Sequence, residues 1–380
     1  MTGMKKKKLI SNFITYGIVI IAFIIVQIMQ STGNLSSMMT GLLVPLCVYV
    51  VLAVSLNLVV GISGELSLGH AGFMCIGAFA GAFFSKCTQN TITVGGLRFF
   101  LALLIGAAFA ALFGLLIGIP VLRLKGDYLA IVTLAFGEII KNVINVFYVG
   151  VDSHGVHVSM KDQFSLGMEP DGMLILNGPQ GITGTPKDAS FLAGIILILV
   201  TLFVVLNLID SRDGRAIKSI RDNRIAAESI GINITKYKLM AFTVSAALAG
   251  AAGSLYAHNL ATLQAKKFDY NLSILALVFV VLGGIGNIRG SVIAAVVLTA
   301  LPELLRDMAE YRMLIYAIVL IVMMIFNWAP KALEWRERYL GRFFRKSVKE
   351  GKEDGNDVGS EKSWDLFWWS ESSERSGYGD

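Results

Sequence analysis

Ten apolar runs are separated by short polar ones along this chain: Leu9–Gln30, Met38–Val60, Leu66–Ser85, Phe99–Ile119, Tyr128–Val149, Phe191–Ile209, Leu239–His258, Asn271–Leu282, Ser291–Leu305 and Met313–Trp328. A helix needs about 20 mostly apolar residues to cross ~30 Å of hydrocarbon. Most of the runs meet that requirement. Asn271–Leu282 is short and Leu66–Ser85 is rich in glycine, so either can be a broken or re-entrant segment instead of a full span. Leu9–Gln30 follows Lys5–Lys8 as a secretory signal would. No small-residue cleavage site follows it and more spans do, so it reads as an uncleaved first helix. The pattern predicts an all-α polytopic membrane protein with about ten hydrophobic helical segments, eight to ten of them true spans.

Composition agrees. Of 380 residues, 55% are hydrophobic and 16% charged, against roughly 45–50% and 25% in soluble domains. That leaves too little polar surface for two or three soluble domains. Cys47, Cys75 and Cys87 are too few and too scattered for a disulfide framework or a zinc site, and Cys47 and Cys75 lie in apolar runs as small hydrophobes.

The net charge of +6 acquires a location from topology. With the N-terminus in the cytoplasm and the runs alternating, 20 Lys and Arg fall on inner segments and 8 on outer ones. The positive-inside rule therefore favours both termini in the cytoplasm, and no nucleic-acid role is needed. Residues 1–346 read as a transmembrane domain. It has an extracellular loop at 150–189 and a basic cytoplasmic loop at 210–238. Residues 347–380, rich in Ser, Glu, Gly and Asp around a WDLFWW cluster, read as a disordered cytoplasmic tail.

The inner loop, DSRDGRAIKSIRDNRIAAESIGINITKYK, reads as helical. Asp213-Gly214 can start one short helix, and Asp222-Asn223 can cap a second that ends at Gly231. Ile217 and Ile220 share one face; Ala226, Ala227 and Ile230 share another. Such a loop suits either a knob docking into a partner protein or an amphipathic helix on the inner leaflet.

Ionisable groups within spans are expensive and are candidates for function. Glu65 and His70 lie among Gly61, Gly64, Gly69 and Gly72. They suit a gate where the backbone breaks, or a helix cap at the membrane interface. Glu138 and Lys141 stand at i, i+3 and pair on one face, as a polar path or as a lock between helices. Asn57 can hydrogen-bond across helices. Gly283, Gly284 and Gly286 make a tight turn. His154 and His157 lack a ligand set, and His258 ends a span at an interface. No residue set supports metal binding or covalent catalysis, and no GxxxxGK[ST] loop for ATP is present.

Several ordered blocks add a resemblance. AAESIG (Ala226–Gly231) resembles the Ala-Ala-x-x-x-Gly part of the loop by which ABC importer permeases engage their ATPases, with Ile225 where that signature opens with Glu. The wider strings GRAIKSIRDNRIAAESIGINITKYKLMAF, AALAGAAGSLYAH, GISGELSLGHAGFMCIGAFAGA (Gly61–Ala82), GDYLAIVTLAFGEIIKNV (Gly126–Val143), NGPQGITG (Asn177–Gly184) and VLGGIGNIRGSVIAA (Val281–Ala295) resemble the branched-chain amino acid permease family, where this variant loop is usual. Its LivM-type subunits fit best, followed by urea and short-amide permeases. The resemblance covers roughly residues 10–330, leaving out the tail and part of the outer loop.

It implies a type II ABC importer-like permease of the bacterial plasma membrane, importing Leu, Ile or Val. Its implied partners are a second, LivH-like permease subunit, two ATP-binding cassette subunits that bind the ATP, and an extracytoplasmic binding protein. On the inner loop it implies ATPase coupling by Arg215, Ile217, Ile220, Asn223, Ala226, Ala227, Glu228 and Gly231. Asn57, Glu65, His70 and Glu138 remain candidates for the path. A stand-alone secondary transporter would need an ion-binding constellation within the spans, for which only Glu65, Glu138 and Lys141 are available. A polytopic enzyme would need catalytic polar groups gathered at one membrane depth.

Overall fold

Long apolar stretches without interior polar breaks leave the backbone no water to bond with, and they close their hydrogen bonds as helices. A computed structural model describes residues 2–322 of the chain, apart from 34–36, 125–126, 153, 169–171, 306–310, 312–313, 316 and 319. The tail 347–380 and most of Met313–Trp328 lie outside the described residues.

The helices are α1 (Thr2–Ser31), α2 (Ser37–Asn57), α3 (His70–Cys87), α4 (Gly95–Val121), α5 (Asp127–Val146), α6 (Phe191–Asp210), α7 (Arg212–Asp222), α8 (Arg224–Ser229), α9 (Ile234–Ala257), α10 (Tyr270–Gly283) and α11 (Ile288–Leu304). Among the described residues, five stretches are long and apolar enough to cross a membrane: Met39–Ser63, Gly95–Val121, Tyr128–Val146, Phe191–Asp210 and Ile234–Ala257. The helical membrane architecture expected from the hydropathy pattern is therefore present. Neither doubtful run is a full span: α10 has 14 residues, and the glycine-rich run becomes helical only from His70.

The outer loop departs from a simple connector. Strands β1 (Tyr148–Asp152), β2 (Gly155–Ser159), β3 (Met173–Asn177), β4 (Gly181–Thr183) and β5 (Thr262–Leu263) form one antiparallel sheet in the order β2-β1-β3-β4-β5. Alternating Val149, Val151, Val156 and Val158 supply the β-branched pattern of the first hairpin. Its turn is closed by Asp152 Oδ1, which accepts from the amides of His154 (2.8 Å) and Gly155 (3.1 Å). His157 Nε2 meets Asp152 Oδ2 at 2.9 Å. Ile175, Leu176, Ile182 and Leu263 are buried beneath the sheet. Because β5 follows α9 directly, the sheet marks one end of the bundle, and α7 and α8, between α6 and α9, mark the other.

Helix α2 and its continuation form the centre, with 83% of the apolar window buried, against 22% for α4 and α5, whose Leu, Ile and Phe side chains face outward as lipid-facing helices require. Helices α3, α4 and α9 meet along Gly77, Gly106, Gly250 and Ser254, where small residues let backbones touch. Ser254 Oγ donates to Gly77 O at 2.8 Å. At the sheet end Arg98 Nη2 joins Asp188 Oδ2 at 2.7 Å. His258 lies beside this pair and against the Phe99 ring. It stands at the end of α9, as the hydropathy pattern has it, and is fully buried, and its Nδ1 bonds Ser254 O at 2.8 Å. Burial pulls the His258 pKa below its ordinary value.

Candidate functional site

Helix α2 does not stop at Asn57. One π-helical turn, Leu58–Ser63, carries it on, and Gly64 ends it in the left-handed region at φ 74°. A side chain there would be strained, and its Cβ would lie 2.6 Å from Arg221 Cγ. Residues 65–69 then run without regular structure to α3. The run is held by its neighbours. Leu68 N donates to Thr133 Oγ1 on α5 (3.1 Å), and Ala71 N donates to Ser273 Oγ on α10 (3.0 Å). A Cβ on Gly69 would sit 2.2 Å from Thr133 O, so α5 can pass here only against glycine. Gly64 therefore ends the helix, and Gly69 admits α5.

Of the expected path residues, Asn57 Nδ2 donates to Ser291 Oγ on α11, and Asn57 Oδ1 accepts from Gly286 N. His70 opens α3 and is buried against Ser55 Oγ at 2.8 Å. Glu65 forms a salt bridge with Lys238 of α9, both side chains nearly covered. Glu138 pairs with Lys141 as the i, i+3 spacing predicted, and its Oε1 also accepts from Tyr270 N at 3.1 Å, tying α5 to the start of α10. Asn57, Glu65 and His70 thus meet along one break, while Glu138 lies deeper.

A narrow cleft opens there, lined by Leu68, Ala71, Leu134, Glu138, Asp269 and Ser273. Glu138 stands 11 residues into the 20-residue α5, about 16 Å along it at 1.5 Å per residue. Helices α3 and α10 both begin at this cleft, and the positive end of α10 meets the Glu138 carboxylate through Tyr270 N.

At the α7 end, the loop is anchored from within. Ser211, not Asp213, caps α7, its Oγ accepting from Gly214 N at 3.0 Å. Asn223 caps α8, its Oδ1 accepting from Ala226 N at 3.0 Å, as the sequence predicted. Gly231 ends the turn at φ 84°. Ile217, Ile220 and Ala227 are buried, with Ile220, Ala227 and Ile234 forming a small core of their own. The expected apolar face is therefore divided: Ala227 points inward, while Ala226, Glu228, Ile225 and Ile230 are exposed. A one-turn helix has no face wide enough to keep Ala226, Ala227 and Ile230 together. Arg215 donates to Asp210 O at 3.3 Å.

Two residues were missed. Arg221 Nη1 donates to Gly61 O at 2.8 Å, and Lys238 holds Glu65. Their only signal was a cation in the middle of the loop and another at its end, which positive-inside counting absorbs without naming a partner.

The family model described as branched-chain amino acid transport system / permease component matches residues 38–326. The high-affinity branched-chain amino acid transport system permease proteins LivM of Salmonella typhimurium and Escherichia coli are each 37% identical over 295 residues, covering 75% of this chain and 67% of theirs. The nucleoside ABC transporter permease protein NupC of Lactococcus lactis is 26% identical over 213 residues, 56% of this chain and 63% of its own. No solved structure matches the chain. The chain is an integral membrane protein and belongs to the branched-chain amino acid transport system permease component family.

Proposed function

We propose that the chain is the LivM-type permease subunit of an ATP-driven importer for leucine, isoleucine and valine in the bacterial plasma membrane. It forms the translocation path with a second, LivH-like permease subunit. Two ATP-binding cassette subunits bind the ATP at the α7–α8 end, in the cytoplasm, and an extracytoplasmic binding protein delivers substrate at the sheet end.

The observation that carries this reading is the α7–α8 loop. It is fixed to the bundle by Ile217, Ile220 and Ala227, yet it presents Ile225 and Ile230 to solvent, 81% and 74% exposed. Exposed isoleucines on a rigid, capped loop suit a groove on a partner protein. Arg215, Asn223, Ala226, Glu228 and Gly231 shape and flank that surface. The path passes Asn57, Glu65 and His70 and the cleft at Glu138. Broken helices whose ends meet within the membrane are where transporters of several folds bind substrate. There the Glu138–Lys141 pair beside the start of α10 offers both signs of charge to a zwitterion.

The test is co-expression and recovery from mild detergent, followed by uptake in proteoliposomes. Stoichiometric recovery of a second permease and an ATPase is expected, with ATP-dependent leucine uptake that requires the binding protein. Transport by this chain alone without ATP overturns the reading, and uptake of urea in place of leucine overturns the substrate assignment.

A further inference from the structure

We infer that Arg221 and Lys238 are positioning residues that transmit movement of the α7–α8 loop to the backbone break between α2 and α3, and so set the course of the unwound run 65–69. The inference deepens the importer reading and rests on it.

The two contacts grip the break from the end of α7 and from the start of α9. Arg221 is the last residue but one of α7. Its Nη1 donates to Gly61 O at 2.8 Å, and its methylene stem lies over Gly64. Its Nε (3.1 Å) and Nη2 (2.9 Å) both donate to Asp222 Oδ1, which fixes the guanidinium plane. Lys238 sits in the second turn of α9 and forms the salt bridge with Glu65, one residue past the break. Loop helix α8 lies between these two cations. A shift of α8 therefore reaches both grips through rigid, capped elements.

The chemistry of the grip suits its place. The last carbonyls of a helix lack intrahelical donors and carry partial negative charge, and Gly61 O gains a guanidinium N–H there. Gly64 has no side chain, so the arginine stem lies directly on the backbone. A Cβ on Gly61 would fall 2.6 Å from Gly286 Cα, so the α10–α11 turn packs on the same stretch that Arg221 holds. Movement at Gly61–Glu65 passes along the chain toward Leu68 and Ala71. Each of these is held by one hydrogen bond to a helix bordering the cleft.

The experiment uses the full importer in proteoliposomes, with its ATPases, second permease and binding protein. It compares Arg221→Ala, Glu65→Gln, Lys238→Met and the exchanged pair Glu65→Lys with Lys238→Glu. Uptake and ATP hydrolysis are measured in the same vesicles. Each single variant is expected to lower substrate taken up per ATP by about tenfold, within the usual span of coupling between sites, while the complex stays assembled. The exchanged pair is expected to restore most of the ratio. An unchanged ratio in Arg221→Ala and Glu65→Gln overturns the inference. So does a loss of uptake and hydrolysis in parallel, or a loss through dissociation of the complex, because a purely structural role predicts both. Failure of the wild-type chain to recruit an ATPase would instead sink the importer reading itself.

Discussion

Asn57 Nδ2 donates to Ser291 Oγ at 2.7 Å across 234 residues of sequence, while Asn57 Oδ1 accepts the Gly286 amide at 2.9 Å. One buried side chain thus joins α2 to the α10–α11 turn and to α11. A single interhelical hydrogen bond in a membrane protein is worth only about 0.6 kcal/mol on average. Leaving a buried donor unpaired costs about 1–3 kcal/mol, and this second effect dominates here. Asn57→Leu is expected to lower stability by about 1–3 kcal/mol, read as a shifted unfolding midpoint in detergent. An unmoved midpoint would show that the amide is dispensable.

The glycine seam gives a second prediction. A Cβ on Gly77 would lie 2.3 Å from Gly250 Cα, and one on Gly250 would lie 2.3 Å from Ala110 Cβ. Neither obstacle is the flexible tip of a side chain. Gly77→Ala and Gly250→Ala are each expected to destabilise by about 1–3 kcal/mol through overpacking, and by more if the three helices separate. Gly96→Ala, with nothing within 4 Å, is the matched control and should be neutral or mildly stabilising. Equal midpoints for all three variants would remove the close-packing argument.

These two cases show what the sequence makes readable. Spans, the Asn223 cap and the Glu138–Lys141 pair depend on spacing within one element, and local periodicity reveals them. The sheet does not: its strands are two to five residues long, and β4 pairs with β5 across α6 to α9, Ile182 opposite Leu263. The Glu65–Lys238 pair spans 173 residues and leaves no periodic trace. Asp213 was expected to begin α7, yet Ser211 takes the role. Either residue type caps well, and only the backbone, extended at Ser211, decides. Which of Ala226 and Ala227 turns inward depends on Ile220 and Ile234 closing over one of them.

His258 predicts a pH effect. Burial lowers its pKa in the folded chain below the ordinary imidazole value of about 6.5. Between the folded and unfolded values, the unfolded chain holds a proton that the folded chain does not. Stability from this site is therefore complete above pH ~6.5 and declines as the pH falls through that value. Asp188 beside the ring opposes the shift and Arg98 adds to it, but burial is the largest cause. His258→Gln is expected to flatten the melting-temperature decline between about pH 7 and 5 relative to wild type. Parallel pH profiles for the two proteins would exclude His258 as its source.

The loop separates two kinds of residue that sequence alone groups together. Ile225 and Ile230 are exposed and touch no core of this chain, whereas Ala227 is 2% exposed between Ile220 and Ile234. Burying one isoleucine at an interface is worth roughly 1.5–3 kcal/mol. Ile225→Asp and Ile230→Asp are therefore each expected to weaken ATPase association about tenfold or more. Surface changes of this kind leave the unfolding midpoint within about 0.5 kcal/mol of wild type. Ala227→Arg should behave in the opposite order. It forces a long charged side chain into the small core and lowers loop stability first, with docking lost only as a consequence. Association measured by biolayer interferometry, set beside the melting temperature of each variant, tests this ordering. If Ala227→Arg weakens docking while its melting temperature holds, Ala227 is a contact residue and the inward placement of its side chain does not survive in the assembled importer.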